Sequence, residues 1–203
     1  GKTPSVEEQE EFIARYKEIK TSSAPGSVVL FGDGMHLIHQ NVPSRCWGNP
    51  LYPPVLETNS GRKRLNILGA YNPDNLSLIH LTGEDNCNAE KVIEYLDMIL
   101  IAYPAAPRID LILDNARYFH AKKVSEWLEK NPKLQIEFLP PYAPNLNLIE
   151  RLWGFTKKKL VKNKYYKEYK TFRAKVFQFL NNIEKYVDEL KSLMTENFQI
   201  IYT

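Results

Sequence analysis

The chain has 203 residues, 43% of them hydrophobic and 25% charged, with a formal net charge of +3. This is the size of one domain and the composition of a globular chain, not of a disordered tail or a rod. No run approaches the ~18 apolar residues of a membrane span, and no apolar signal core stands at the N-terminus. A soluble, intracellular protein is expected, and two cysteines without CxxC spacing, Cys46 and Cys87, argue against a disulfide framework or a cysteine zinc site.

In chain order, residues 5 to 20 read as a helix with an apolar stripe at Val6, Phe12, Ile13 and Tyr16. A Ser-, Pro- and Gly-containing break follows, up to Ser27. Val28 to Phe31 is a short run typical of a strand buried on both faces, ending in Gly32-Asp33-Gly34. Residues 41 to 64 lack periodicity and form a long loop, the kind that is usually functional in a compact domain. Two strands, Leu65 to Tyr71 and Leu76 to Leu81, are joined by the turn residues Asn72 to Asn75.

Asn88 then N-caps a helix that runs toward Pro104, and Ile109 to Leu113 is a second buried strand ending in Asp114-Asn115. A helix over 120–130, a strand from Gln135 to Leu139, a helix from Leu146 to Lys162 and one or two helices over 168–195 complete the chain. A strand, helix, strand order implies a right-handed parallel crossover, whereas the preceding hairpin is antiparallel. The expected class is α/β, with a mixed sheet flanked by helices.

The charge is unevenly placed. Ten basic residues between Arg151 and Lys175 face the single acid Glu168, so this segment carries +9 and the rest of the chain −6. Such a field favours a polyanionic partner, nucleic acid first and an anionic membrane second, although a solvated helix face explains it equally well.

Three acids stand apart from the others: Asp33 and Asp114, each directly after a buried strand run, and Glu150, in the first turns of a helix. A carboxylate at the end of an apolar strand is costly to bury unless it is paired, hydrogen-bonded or metal-bound. The competing explanation is a turn at Asp33 and a helix cap at Asp114. At ~100° per residue, Glu150 lies at the edge of the stripe of Leu146, Ile149, Trp153 and Leu160, with Lys157 on the same flank. Three convergent carboxylates without a Cys or His cluster suit Mg²⁺ or Mn²⁺ better than zinc. His36 and His39 fall on opposite faces of a strand. Gly1-Lys2-Thr3 lacks the upstream glycine of a phosphate loop, and Gly32-x-Gly34 lacks the third glycine of a dinucleotide fingerprint.

Leu113-Asp114-Asn115-Ala116-Arg117-Tyr118-Phe119-His120 and Leu139-Pro140-Pro141-Tyr142-Ala143-Pro144-Asn145 running on to Glu150-Arg151-Leu152-Trp153 resemble the second and third catalytic blocks of DDE transposases of the mariner-like superfamily, bacterial insertion-sequence branch. Phe31-Gly32-Asp33-Gly34 resembles the first block, with Gly34 where many relatives carry a glutamate.

The resemblance implies a ribonuclease H-like fold with a central mixed five-stranded sheet. It implies an acid triad, Asp33, Asp114 and Glu150, that holds two Mg²⁺ or Mn²⁺ ions and cleaves and rejoins DNA at transposon ends. It also implies DNA contacts from Asn115, His120, Arg151, Lys157, Lys158 and Lys159. Residues 41–64 correspond to a clamp loop, with Trp47 and the cluster Arg62-Lys63-Arg64 as interface or DNA contacts of a homodimer. The expected layout is an N-terminal helix and linker over 1–26 and a catalytic domain over 27–203, acting in the bacterial cytoplasm. A helix-turn-helix module is expected upstream, outside this chain, which starts without methionine. A ribonuclease H-like nuclease and a catalytically inert DNA-binding or dimerisation protein are the rival readings.

Overall fold

The computed structural model describes residues 4–43, 51, 55 and 57–202. Helix α1 (Val6–Ser22) opens on a reciprocal cap: Ser5 Oγ accepts from the Glu8 amide while the Glu8 carboxylate accepts from the Ser5 amide. Strand β1 (Val28–Ile38) follows, then β2 (Arg64–Asn72) and β3 (Ser77–Gly83). Helix α2 (Ala89–Ala102) is N-capped by Asn88, whose side chain accepts from the Lys91 amide. Strand β4 (Ile109–Leu113), helix α3 (Lys122–Lys130), strand β5 (Leu134–Phe138) and helices α4 (Leu148–Leu160), α5 (Tyr169–Leu180) and α6 (Val187–Leu193) complete the order.

The five strands form one sheet in the order β3-β2-β1-β4-β5. β1 pairs antiparallel with β2, and β2 with β3. β4 lies parallel to β1 on its other side, and β5 parallel to β4. The strands alternate between two cores. Val29, Phe31, Met35 and Leu37 of β1 and Ile112 of β4 pack under α1, α4, α5 and α6. Leu30 of β1, Leu68 and Ala70 of β2, and Leu111 and Leu113 of β4 pack under α2 and α3.

Three boundaries differ from the sequence reading. β1 does not stop at Phe31. It continues to Ile38, because β2 pairs with it residue by residue from Phe31 through Ile38, and that pairing outweighs the low strand preference of Gly32-Asp33-Gly34. Asp33 is therefore a mid-strand residue rather than one that follows a strand. Leu76, assigned to a strand, lies in the turn at φ 59°. The helix expected over 120–130 is α3, which starts two residues later, and a short 3₁₀ turn at Arg117–His120 precedes it. Of the 41–64 loop, Trp47 lies outside the described residues.

Candidate active site

The central strands align two of the three acids. The parallel register pairs Val28 with Ile109 through Phe31 with Ile112, and Asp33 and Asp114 each follow two residues beyond the last pair. Neighbouring strands run about 4.8 Å apart, and residues in register on parallel strands point to the same face. That face belongs to the core formed with α4, and α4 carries Glu150 in its first turn. The ring of Trp153, one turn beyond Glu150, fixes the helix against the sheet. Its indole Nε1–H donates to Asp33 Oδ2 at 3.1 Å, and a Cβ at Gly69 of β2 would collide with the same ring. Glycine at position 69 thus lets α4 approach the strands that hold the acids.

Electrostatics show that the three carboxyls feel one another. Asp33 is 8% exposed. Burial, then the charges of Glu150 and Asp114, push its pKa up to about 7 against the opposing Gly34 amide and Trp153 indole. Asp114 is raised by burial, while the Ala116 amide and His120 pull it down. Glu150 is also raised, by burial and by Asp114, with Lys157 opposing. Clustered carboxylates whose pKa values are all raised are sites where a cation or a proton is wanted. Among the described residues, however, no group of three His, Cys, Asp or Glu side chains stands close enough together to hold a metal ion. The acids share a face and a field without closing into a finished ligand cage.

A cleft of about 400 Å³ opens over Asp114 and Glu150, walled by the segment from Leu139 to Ala143 and by Asn147. Asn115 Nδ2 donates to Leu139 O at 2.7 Å, tying the end of β4 to this wall. Tyr142 holds φ 60° with its side chain 68% exposed at the cleft, a left-handed conformation that costs a bulky residue roughly 1–2 kcal/mol. Asn147 donates to Gly32 O at 3.1 Å, while its Oδ1 is buried without a partner at the cleft wall. A second, smaller cavity of about 80 Å³, lined by Leu81, Cys87 and Tyr118, also touches β1 but reaches Gly34, whose side-chain direction is opposite to that of Asp33. A Cβ at Gly34 would meet the Tyr118 hydroxyl at 2.8 Å. A glutamate at this position would need Tyr118 to move.

The other expected contact residues scatter. His120 is exposed and stacks on Phe138, with ring centroids 4.3 Å apart. Lys157 faces Glu150, and Lys158 is exposed. Lys159 bonds Glu189 at 2.8 Å and lies over the rings of Phe155 and Tyr186. Arg151 donates to the carbonyls of Thr195 at 2.6 Å and Asn197 at 2.7 Å, so its guanidinium anchors the C-terminal segment. Arg64 holds Asn86, Lys63 lies over the Tyr169 ring, and Arg62 is exposed. His36 and His39 take separate partners, Asn66 and the Tyr166 carbonyl.

Sequence reading missed Asn147 and the role of Trp153, because an amide before a helix and a tryptophan on an apolar stripe look like cap and core. It also overlooked a fourth acid within a strand. Asp110 of β4 is 1% exposed, but Arg108 pairs with it at 2.6 Å, which accounts for its burial.

A mixed five-stranded sheet with this strand order and helices on both faces is a ribonuclease H-like fold. Residues 28–173 match the family model described as DDE superfamily endonuclease, and the chain belongs to that family. It is 31% identical over 75 residues to the insertion element IS630 uncharacterized 39 kDa protein of Shigella sonnei, a match that spans 37% of this chain and 22% of that protein. It superposes on the catalytic domain of Mos1 mariner transposase with a TM-score of 0.53 at 16% identity, covering 95% of this chain and 81% of that one. The Mos1 strand transfer complex gives a TM-score of 0.58 at 18% identity, covering 95% of this chain and 54% of that one. The chain is therefore a DDE transposase-like catalytic domain that spans about half the length of the Mos1 chain in that complex and under a quarter of the curated relative.

Proposed function

We propose that this domain cuts DNA at the ends of an insertion element and joins the freed ends to target DNA, using Asp33, Asp114 and Glu150. The observation that supports the reading is the electrostatic coupling of the three carboxyls, since the charges of Glu150 and Asp114 both raise the buried Asp33. The donor chemistry fits two Mg²⁺ or Mn²⁺ ions: three carboxyls, oxygen only, with a mutual repulsion that a hard divalent cation would relieve. Mos1 is described in paired-end complexes with Mg and with Mn, which supports the choice of ion. When bound, such ions activate the attacking oxygen and stabilise the leaving one.

The chain's own residues orient these groups. Trp153 holds the Asp33 carboxyl, Asn115 ties the β4 end to the Pro140–Pro144 wall, and Lys157 offsets charge beside Glu150. In cleavage, a water oxygen bonds to phosphorus while the phosphorus–O3′ bond breaks, leaving a 5′-phosphate and a 3′-hydroxyl. In joining, that 3′-oxygen bonds to a target phosphorus, loses its proton and displaces another 3′-oxygen. His120 and Lys157, whose charges act on Asp114 and Glu150, and the exposed Lys158 would contact the backbone, which positions DNA without reading its sequence. Arg62, Lys63 and the exposed Val55 belong to the 41–64 loop, which we assign to a clamp between two copies of the chain. Chromosomal DNA in the bacterial cytoplasm is then the substrate.

The test is Mg²⁺- or Mn²⁺-dependent nicking of DNA carrying the element's ends, with Asp114→Asn as the comparison. Equal cleavage by that variant, or cleavage that survives full chelation, would overturn the assignment. The open arrangement of the three acids favours one rival, a domain that binds DNA without cutting it. Metal titration separates the two, since an inert domain keeps DNA affinity without binding Mn²⁺.

A further inference from the structure

On the far side of α4 from the acids lies a groove of about 600 Å³ between the end of that helix, the connection to α5, and α5 itself. At ~100° per residue, Lys157 sits about 20° from Glu150 around the helix axis, whereas Lys159 sits about 180° from it. With a rise of 1.5 Å per residue the groove begins about 14 Å from Glu150 along the axis. It is therefore separate from the catalytic cleft.

Lys159, Lys164, Lys175 and Lys185 line the groove, and no acidic side chain does. Glu189 holds Lys159, but Lys164, Lys175 and Lys185 are exposed. Between them stand Tyr165, 40% exposed, and the amide of Gln178. The floor holds the rings of Phe179 and Tyr186, tilted 43° to each other with centroids 4.8 Å apart. Clustered ammonium groups around an open phenol ring supply the two elements of single-strand recognition: charge that follows the phosphates and a platform on which a base stacks.

We infer that this groove binds a single-stranded stretch of nucleic acid distinct from the strand held at the acids. The choice of a nucleic acid among polyanions rests on the function proposed above; the groove itself does not depend on catalysis. In a working complex it would keep a displaced or flanking strand on the side of α4 away from the chemistry.

The experiment measures binding of a labelled single-stranded oligonucleotide to the full chain carrying Asp114→Asn, in chelator, across a salt series. Replacing Lys164, Lys175 and Lys185 together with alanine is expected to weaken binding at least about tenfold near 0.1 M salt. It should also reduce the slope of log K against log salt by about 2, at ~0.7 per phosphate contact. Tyr165→Ala, which leaves the charge intact, should weaken binding about tenfold with the slope unchanged. A charge-matched control removes Lys17, Lys122 and Lys130, exposed on α1 and α3, and should change affinity less than threefold.

If the groove variant behaves like the control, or if it loses affinity for anionic lipid vesicles and not for the oligonucleotide, the inference is overturned. Because neither metal nor cleavage enters the measurement, its failure leaves the catalytic assignment standing. Loss of metal-dependent nicking would in turn leave the groove untouched.

Discussion

The face of the sheet under α2 and α3 and the face under α1, α4, α5 and α6 are built from the same alternating strands and differ in how their polar groups are treated. Under α2 the packing is satisfied: Val92, Tyr95, Leu96 and Ile99 are fully buried, and the Tyr95 hydroxyl donates to Gly69 O at 2.7 Å. Under α4 the face includes the raised carboxyl of Asp33, the unpartnered Oδ1 atoms of Asn145 and Asn147 and the unpartnered hydroxyl of Tyr71. The left-handed Tyr142 stands beside it. An unsatisfied buried polar atom costs about 1–3 kcal/mol, so the first face supplies stability that the second spends on keeping charge and polarity available. The lesson is that two faces of one sheet, built from the same strands, can differ in how fully their buried polar groups are satisfied.

Four measurements would break or sharpen that contrast. Largest is Asp114→Asn, which should lower the rate of metal-dependent nicking about a thousandfold, since a metal ligand accounts for several kcal/mol of the barrier. Its thermal unfolding should stay within a few degrees of the parent, and a comparable fall in both would show a structural role instead.

Leu96→Ala on the opposite face should do the reverse. It should cost about 2–5 kcal/mol in denaturant unfolding while leaving the nicking rate of the folded fraction unchanged. Nicking that fell in step with Asp114→Asn would erase the difference between the faces.

Asp33→Asn is expected to stabilise the chain, by up to about 4 kcal/mol at pH 7 in chelator. The sign follows from the raised pKa: the folded state holds a proton up to about pH 7 that the unfolded carboxyl releases near 3.8. The acid therefore favours the folded state fully only below about pH 4, and stability is lost as pH rises toward 7. The gap between variant and parent in unfolding free energy should widen across that window, and a gap independent of pH would refute the assignment.

The smallest effect is at Tyr142. Tyr142→Gly relieves the left-handed strain but adds unfolded-state freedom, so its stability should rise by less than about 1 kcal/mol. A loss above 1 kcal/mol in the same unfolding assay would mean that the ring packs more than its exposure shows.

Much of the architecture was legible because it is local. The 3.6-residue stripe of α2, the Asn88 cap, and the buried run of β4 followed by an acid each depend on a few adjacent residues, and the structure contains all three. The path of β1 was not legible past Phe31, since Gly32-Asp33-Gly34 has little strand preference of its own and is held extended by β2. The burial of Asp110 was likewise hidden, because its counter-charge Arg108 makes it an ordinary ion pair only once both side chains are placed. The partners of Arg151 were hidden for a similar reason: its guanidinium donates to carbonyls more than forty residues away.

The sequence by itself determined the family resemblance of the two blocks around Asp114 and Glu150 and the +9 segment after Glu150, because residue type and short-range spacing need no third dimension. Only the tertiary structure decided that the charges of Asp114 and Glu150 act on Asp33, that Trp153 packs on Gly69 and bonds Asp33, and that the +9 segment divides. One part of that basic segment faces the acids, one part lines a separate groove, and one arginine is spent on holding the tail. The physical reason is that strand register and helix rotation are set by contacts between residues far apart in the chain, and those contacts decide which way each charge points.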